Sequence, residues 1–148
     1  MGNLAFHKLT QEYDTEEFKL GDIVEEGKNK YVFVKSAAAI ATGQLVTIDQ
    51  DGVATEGTTT TAAKGRGAGV TKFAFSAADK YGFVQTRGAF QLDCATGLSE
   101  GDKLFTSATA GRVGTDGGSD VRVNGLYVTA DTSTAGLATC EAAVDMWV

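Results

Sequence analysis

Two cysteines and one histidine carry the side chains best suited to metal binding or nucleophilic attack, and their spacing favours neither. Cys94 and Cys140 lie far apart and form no Cys-x-x-Cys pair, and His7 stands alone near the start of the sequence. A zinc site of the usual nitrogen and sulfur ligands therefore cannot be assembled from one chain. The thiols are open to three readings: buried free thiols, one intrachain bridge, or links between chains. A Cys–His nucleophile would need His7 to fold back from the N-terminus, and nothing else supports it.

Other chemistry-bearing runs read more simply as turns and surface. Gly65-Arg66-Gly67-Ala68-Gly69 lacks the third glycine of a dinucleotide loop, and reads as a flexible or bulged start to a strand. Asp49-Gln50-Asp51-Gly52 opens like a calcium loop, but Thr60 stands where the twelfth-position acid belongs; Asp-Gly between strands predicts a hairpin turn. The pairs Glu16-Glu17 and Glu25-Glu26 lie in polar stretches and read as solvated surface. Asp93, Asp102 and Asp120 have no spacing that sets two carboxylates at a working separation. The expectation is a non-enzyme without cofactor or metal.

The elements that hold these residues are strands. Tyr31–Val34, Leu45–Ile48, Val70–Phe75, Phe83–Thr86 and Val121–Val128 are rich in β-branched and aromatic residues. Turn-forming clusters bound them, among them Gly27-Lys28-Asn29, Asp51-Gly52 and Asp116-Gly117-Gly118. Ala143–Val148 reads as a terminal strand that packs the Trp147 ring. Ser36–Ala41 is too short for a stable helix and reads as a loop or single turn, and the run from Thr58 to Ala63 reads as a polar surface loop. One similarity is internal. Ile40-Ala41-Thr42-Gly43-Gln44-Leu45-Val46, leading to Gly52-Val53, is repeated by Leu98-Ser99-Glu100-Gly101-Asp102-Lys103-Leu104-Phe105, leading to Gly111-Arg112-Val113. The second copy carries one extra residue between its glycine and its apolar pair. Two copies are too few for a solenoid and suit a compact barrel or sandwich with two related corners. The fold class is all-β: a small antiparallel barrel or sandwich, less than about a fifth helical.

The first twenty residues differ from the rest. Apolar side chains are scattered among acids with neither helical nor strand period, so residues 1–20 read as an extended arm and 21–148 as one β domain. Leu4, Phe6, Tyr13 and Phe18 are assigned as the arm's anchors on a partner or neighbouring subunit. Packing on the arm's own domain is the competing reading.

The 148 residues carry 13 basic and 19 acidic side chains, a net charge of -6. An acidic chain is a poor nucleic-acid binder, because no counterion release would drive it. No apolar run approaches the ~18 residues of a membrane span, and Met1–His7 does not open like a signal peptide. The chain is thus expected to be soluble and made in the cytoplasm. Gly, Ala and Thr make up about 40% of it, against about 22% for Leu, Ile, Val and Phe. Such a thin core favours stability borrowed from neighbouring subunits or a bound surface.

The order of strands and turns resembles a known family. Gly27 followed by Tyr31-Val32-Phe33-Val34-Lys35, then Thr42-Gly43-Gln44-Leu45-Val46-Thr47-Ile48-Asp49 with Asp51-Gly52-Val53-Ala54-Thr55, Gly69-Val70-Thr71, and Tyr81-Gly82-Phe83-Val84-Gln85-Thr86-Arg87-Gly88-Ala89-Phe90 carry the likeness. Leu98–Val113 and Asn124-Gly125-Leu126-Tyr127-Val128 continue it. Together, from about Gly27 to Val148, they resemble the capsid cement, or head-decoration, proteins of tailed bacteriophages. The resemblance implies a virion protein on the outer capsid surface that binds the major capsid protein and reinforces contacts between its subunits, often as a homotrimer at local three-fold positions. It brings no catalytic signature. The alternative is a carbohydrate- or receptor-binding β module of a fibre or adhesin, with Trp147 and Tyr127 or Tyr81 recruited to the site.

Overall fold

The computed structural model describes residues 6–58, 66–95, 97–118 and 120–148, with side chains from Lys8 onward. Its regular elements are a short 3-10 helix, Phe6–Thr10, and ten strands. These are β1 (Ile23–Glu26), β2 (Asn29–Ser36), β3 (Leu45–Ile48), β4 (Val53–Glu56), β5 (Gly67–Thr71), β6 (Tyr81–Cys94), β7 (Lys103–Thr106), β8 (Val113–Gly114), β9 (Arg122–Val128) and β10 (Gly136–Trp147). They form one mostly antiparallel sheet, so the fold is all-β. The strand expected at Val70–Phe75 lies earlier. Gly67–Thr71 joins the ladder, and the alternating Lys72–Phe75 run leaves it, holding only the Ile40–Phe75 bridge.

The sheet closes on itself twice. β2 pairs with β4, β4 with β3, β3 with β5, β5 with β6, and β6 returns to β2. β6 then starts a second circuit through β8, β7, β9 and β10 back to itself. In each ring one pairing is parallel, β2 with β4 and β6 with β8, at equivalent places. The sequence repeat is therefore the sign of two five-stranded rings that share β6. The structure aligns the copies without the extra residue. β3 and β7 each begin two residues after a left-handed glycine, Gly43 (φ 74°) and Gly101 (φ 85°). The bridges Ile40–Phe75 and Leu98–Thr132 also correspond. The shared β6 serves the first ring through Tyr81–Arg87 and the second through Gly88–Cys94. It changes direction at Gly88, whose φ of 110° suits glycine alone, and a Cβ there would sit 2.0 Å from Asn29 Oδ1.

Buried residues form three layers. Val34, Ile40, Val46, Ala54, Phe75 and Val84 fill the first ring. Their equivalents in the second, including Leu92, Leu98, Leu104, Val113 and Cys140, join Leu45, Ala68 and Val70 from the outside of β3 and β5. The β3–β5 wall thus lines one core with each face. A third cluster, Tyr31, Phe33 and Phe83 with Leu9, lies on the outer face of β2 and β6.

At the joint between the rings, the β7–β8 turn enters the open end of the β3–β4 pair. Leu45 N–H donates to the Gly111 carbonyl (2.7 Å), Gly111 N–H to the Gly57 carbonyl (3.0 Å), and Gly57 N–H to the Leu45 carbonyl (3.0 Å). A Cβ on Gly111, at φ 76°, would lie 2.1 Å from Gln44 Oε1. Beside this clasp Arg112 grips Asp93 with two bonds, Nε to Oδ2 (2.9 Å) and Nη2 to Oδ1 (3.1 Å), and Gln44 Nε2 donates to Oδ2 (3.2 Å). Fork-to-fork pairs of this kind fix geometry as well as charge. The Arg112 hydrogen bonds hold the Asp93 carboxyl below the usual carboxylate range, against the opposing pull of partial burial.

A depressed carboxylate pKa stabilises the fold above about pH 4 and loses that contribution as pH falls through the folded-state value. Asp93→Asn is expected to lower urea resistance at pH 7. Its deficit relative to the parent should shrink toward zero on titration well below pH 4, as followed by parallel urea melts across the acid range.

Candidate interaction surface

The assigned anchors fall into two groups. Leu4 lies outside the described residues, as does the side chain of Phe6. Tyr13 and Phe18 are placed on the chain's own sheet. Phe18 meets Phe33 edge-on at 5.3 Å and Phe83 at 5.3 Å, and Tyr13 meets Phe18 and Phe33 at 5.9 and 6.0 Å. Tyr13 also exchanges backbone hydrogen bonds with Tyr81 (2.8 and 3.0 Å), while Leu9 is wholly buried. Polar contacts tie the segment to the first ring. Glu12 accepts from Ser76 N–H and Oγ, and Asp14 pairs with Lys80 at 2.6 Å. Nor is the arm extended throughout its described residues, since Phe6–Thr10 form the 3-10 helix.

The reason lies in a difference between the rings. Phe33 pairs with Phe83 across β2 and β6, and both put a ring on the outer face, with Tyr31 beside them. The equivalent second-ring residues are Ala89, Gln91 and Thr139, which are small or polar and exposed. Three aromatic side chains in water would cost several kcal/mol in total, at about 1.5–3 kcal/mol each. Residues 9–20 cover them, and the second ring needs no such cover. Tyr13 and Phe18 are thus committed to the fold.

The exposed large apolar side chains among the described residues lie elsewhere: Ile23, Leu137, Val144 and Trp147. Trp147 was expected to pack its ring, but it is 51% exposed. The pairing of β10 with β9 slips between Ala142 and Trp147, which leaves Ala143, Val144 and Asp145 all outward before Met146 turns in. Trp147 pairs with Gly67 on one side and Asn124 on the other, and Val148 N–H donates to the Arg66 carbonyl (3.0 Å). Its backbone is therefore fixed between the two rings. A groove of about 310 Å3 opens beside it, lined by Phe105, Asp120, Val121, Arg122, Asn124 and Trp147. A second, of about 300 Å3, runs past Ile23, Ile48 and Met146, where Lys30 and Asp145 pair at 2.5 Å. Tyr127 and Tyr81, the tyrosines weighed as partners of Trp147, line neither groove.

The chemistry-bearing side chains are occupied structurally. Asp49 Oδ1 accepts from Asp51 and Val53 N–H (both 2.9 Å), closing the hairpin turn expected there. Cys94 and Cys140 are buried and unbonded; Cys94 Sγ donates to the Gly136 carbonyl (3.0 Å). Burial pushes the Cys140 thiol up to about 12, with the nearby Cys94 as a smaller cause, so it stays protonated at neutral pH. Gly97-Leu98-Ser99-Glu100-Gly101 has the letters of a nucleophile elbow. It lies in the turn before β7, where Ser99 N–H donates to Asp102 Oδ2 (2.8 Å), not between a strand and a helix as that motif requires.

No family model matches the chain, and no curated protein matches it in sequence. Among solved structures it is similar to the N base of the head fibre gp8.5 of bacteriophage phi29, with a TM-score of 0.55 and 14% identity. The likeness covers 80% of this chain and 96% of that one. At such identity it is a likeness of fold.

Truncating Phe18 should therefore act on stability. Phe18→Ala is expected to cost about 2–3 kcal/mol in urea unfolding, less than the roughly 3–5 kcal/mol of a fully buried ring because Phe18 is only partly buried. A change below about 0.5 kcal/mol would mean that the ring does not seal the Phe33–Phe83 face.

Proposed function

We propose that the chain is a structural protein of a phage particle, seated on the outer surface of the head, where it binds the major capsid protein and reinforces contacts between its subunits. The observation that carries this reading is the likeness to the N base of a phage head fibre, which spans nearly all of that chain. The sequence resemblance to head-decoration proteins supports the same kind of role, since both are proteins of a phage head. Physical features support it. Two rings that share a strand and are clasped at Gly111 make a stiff body able to bear load between neighbours, and an acidic chain stays soluble at high local density and away from packaged nucleic acid. In this reading the protein acts by binding, without catalysis or cofactor, and assembles as a trimer. Tyr13 and Phe18 belong to its core, so of the assigned anchors Leu4 and Phe6 are the ones proposed for contact with the capsid or a neighbouring subunit.

The test is to add purified protein to heads of the encoding phage that lack it. Electron microscopy should show density at symmetry-related positions, and the heads should break at a higher temperature, as stabilisation by a bound partner requires. Leu4→Ala with Phe6→Ala should reduce occupancy. Bare heads at saturating protein, or density without a change in head stability, would contradict the reinforcing role. Sedimentation of the bound fraction after release should give a trimer; a dimer would exclude three-fold seating.

A further inference from the structure

We infer that the groove beside Trp147 is a binding site for a carboxylate-bearing sugar. The inference is independent of how the protein is seated on a particle. It begins with the sole tryptophan of the chain, half-exposed on a backbone anchored from both sides. An exposed large aromatic on rigid backbone is informative, because burial of such a ring is worth more than that of almost any other side chain. Exposure here follows the alternation of β10, in which Ala138, Cys140, Ala142, Met146 and Val148 face in, and it is not fraying, since Met146 and Val148 on either side are buried.

The lining supplies what a pyranose presents. Trp147 and Phe105 offer apolar surface to the C–H face of a sugar ring. Arg122 donates and Asn124 Oδ1 accepts, while Asn124 Nδ2 is held by the Trp147 carbonyl (3.3 Å) and Asp120 Oδ2 by Gly117 N–H (2.7 Å), which leaves a donor and an acceptor for hydroxyls that do both. A volume of about 310 Å3 sits at the lower end of small-ligand sites, enough for one or two sugar units.

Arg122 narrows the class. None of the ion pairs among the described residues uses it, although acids outnumber bases in this chain; Arg122 is exposed and lines the groove. A planar fork beside an aromatic face is suited to a carboxylate held in two-point contact. A nucleotide would also stack on Trp147, but its phosphates would meet a chain of net charge -6, without the basic surroundings that phosphate binding uses. A carboxylated sugar, with one negative charge and an apolar face, answers Arg122 and the aromatic lining.

The single tryptophan makes its own emission the readout. Full-length protein is titrated with an oligosaccharide ending in glucuronic acid, one ending in N-acetylneuraminic acid, and neutral maltotriose, with saturation-transfer NMR in parallel. The expected result is a saturable emission change with at least one acidic sugar and binding about tenfold weaker for maltotriose. Trp147→Ala should abolish saturation transfer while keeping the parent's melting temperature. Arg122→Gln should remove the preference for the acidic sugar and leave emission and folding intact, so the inference stays testable should Trp147→Ala fail to fold. No saturable response to either acidic sugar would overturn it. So would binding unchanged in both variants, or a Trp147→Ala variant that loses its oligomeric state while the parent binds no sugar, which would make the groove a contact between copies.

Discussion

The two rings of this protein share β6, and one glycine closes the joint between them. Gly111 enters between the ends of β3 and β4, takes the amide of Leu45 and gives its own to Gly57, so that a turn of the second ring completes the ladder of the first. A side chain there is costly: the left-handed φ strains it, and its Cβ would push the Gln44 amide off Asp93. Everything nearby depends on that seating. Arg112, the next residue, is thereby aimed at Asp93, and Leu45, Ala68 and Val70 are pressed onto the second ring's core. Neither ring has a large apolar interior. Sharing β6 and a wall lets alternate residues of one strand line both cores, Leu45 the second and Val46 the first, which is how a chain so rich in Gly, Ala and Thr closes them.

The first ring has its own counterpart to this joint. Its tight turn, at Gly52, lies against Leu20, with the Leu20 Cβ 3.0 Å from where a Cβ on Gly52 would stand. The N-terminal segment therefore does for the first ring part of what the first ring does for the second: it receives the turn and covers an exposed face. The asymmetry of the two repeats, aromatic outer residues in one and Ala89, Gln91 and Thr139 in the other, follows from which of them has a segment to cover it.

The sequence made part of this legible, for definable reasons. Gly43 with Gly101, and Gly52 with Gly111, occupy left-handed turns that tolerate little else, so the repeat survives at those positions while the strands between them diverge. Ring closure was not legible, because it rests on two parallel pairings between strands that no tight turn connects. β5 was misplaced because glycine has low strand propensity. Gly69 belongs in a strand here because a side chain would strike Val84 at 2.9 Å. At the interaction surface, the aromatic content of the first twenty residues was visible, but not its destination: the matching rings at Phe33 and Phe83 are distant in sequence and adjacent only across β2 and β6. The expectation that Trp147 packs rests on the size of its ring, whereas the alternation of β10 buries Met146 and Val148 and puts Trp147 on the other face with Ala143 and Asp145.

The central claim, that the Gly111 clasp makes the two rings one cooperative body, is tested most directly by native-state hydrogen exchange in rising denaturant. The amides of Leu45 and Gly111 should exchange with the same free energy as the slowest core amides of both rings and converge with them on one global unfolding event. Exchange of Leu45 and Gly111 at a clearly lower free energy, with β7–β10 opening as a separate unit, would contradict it.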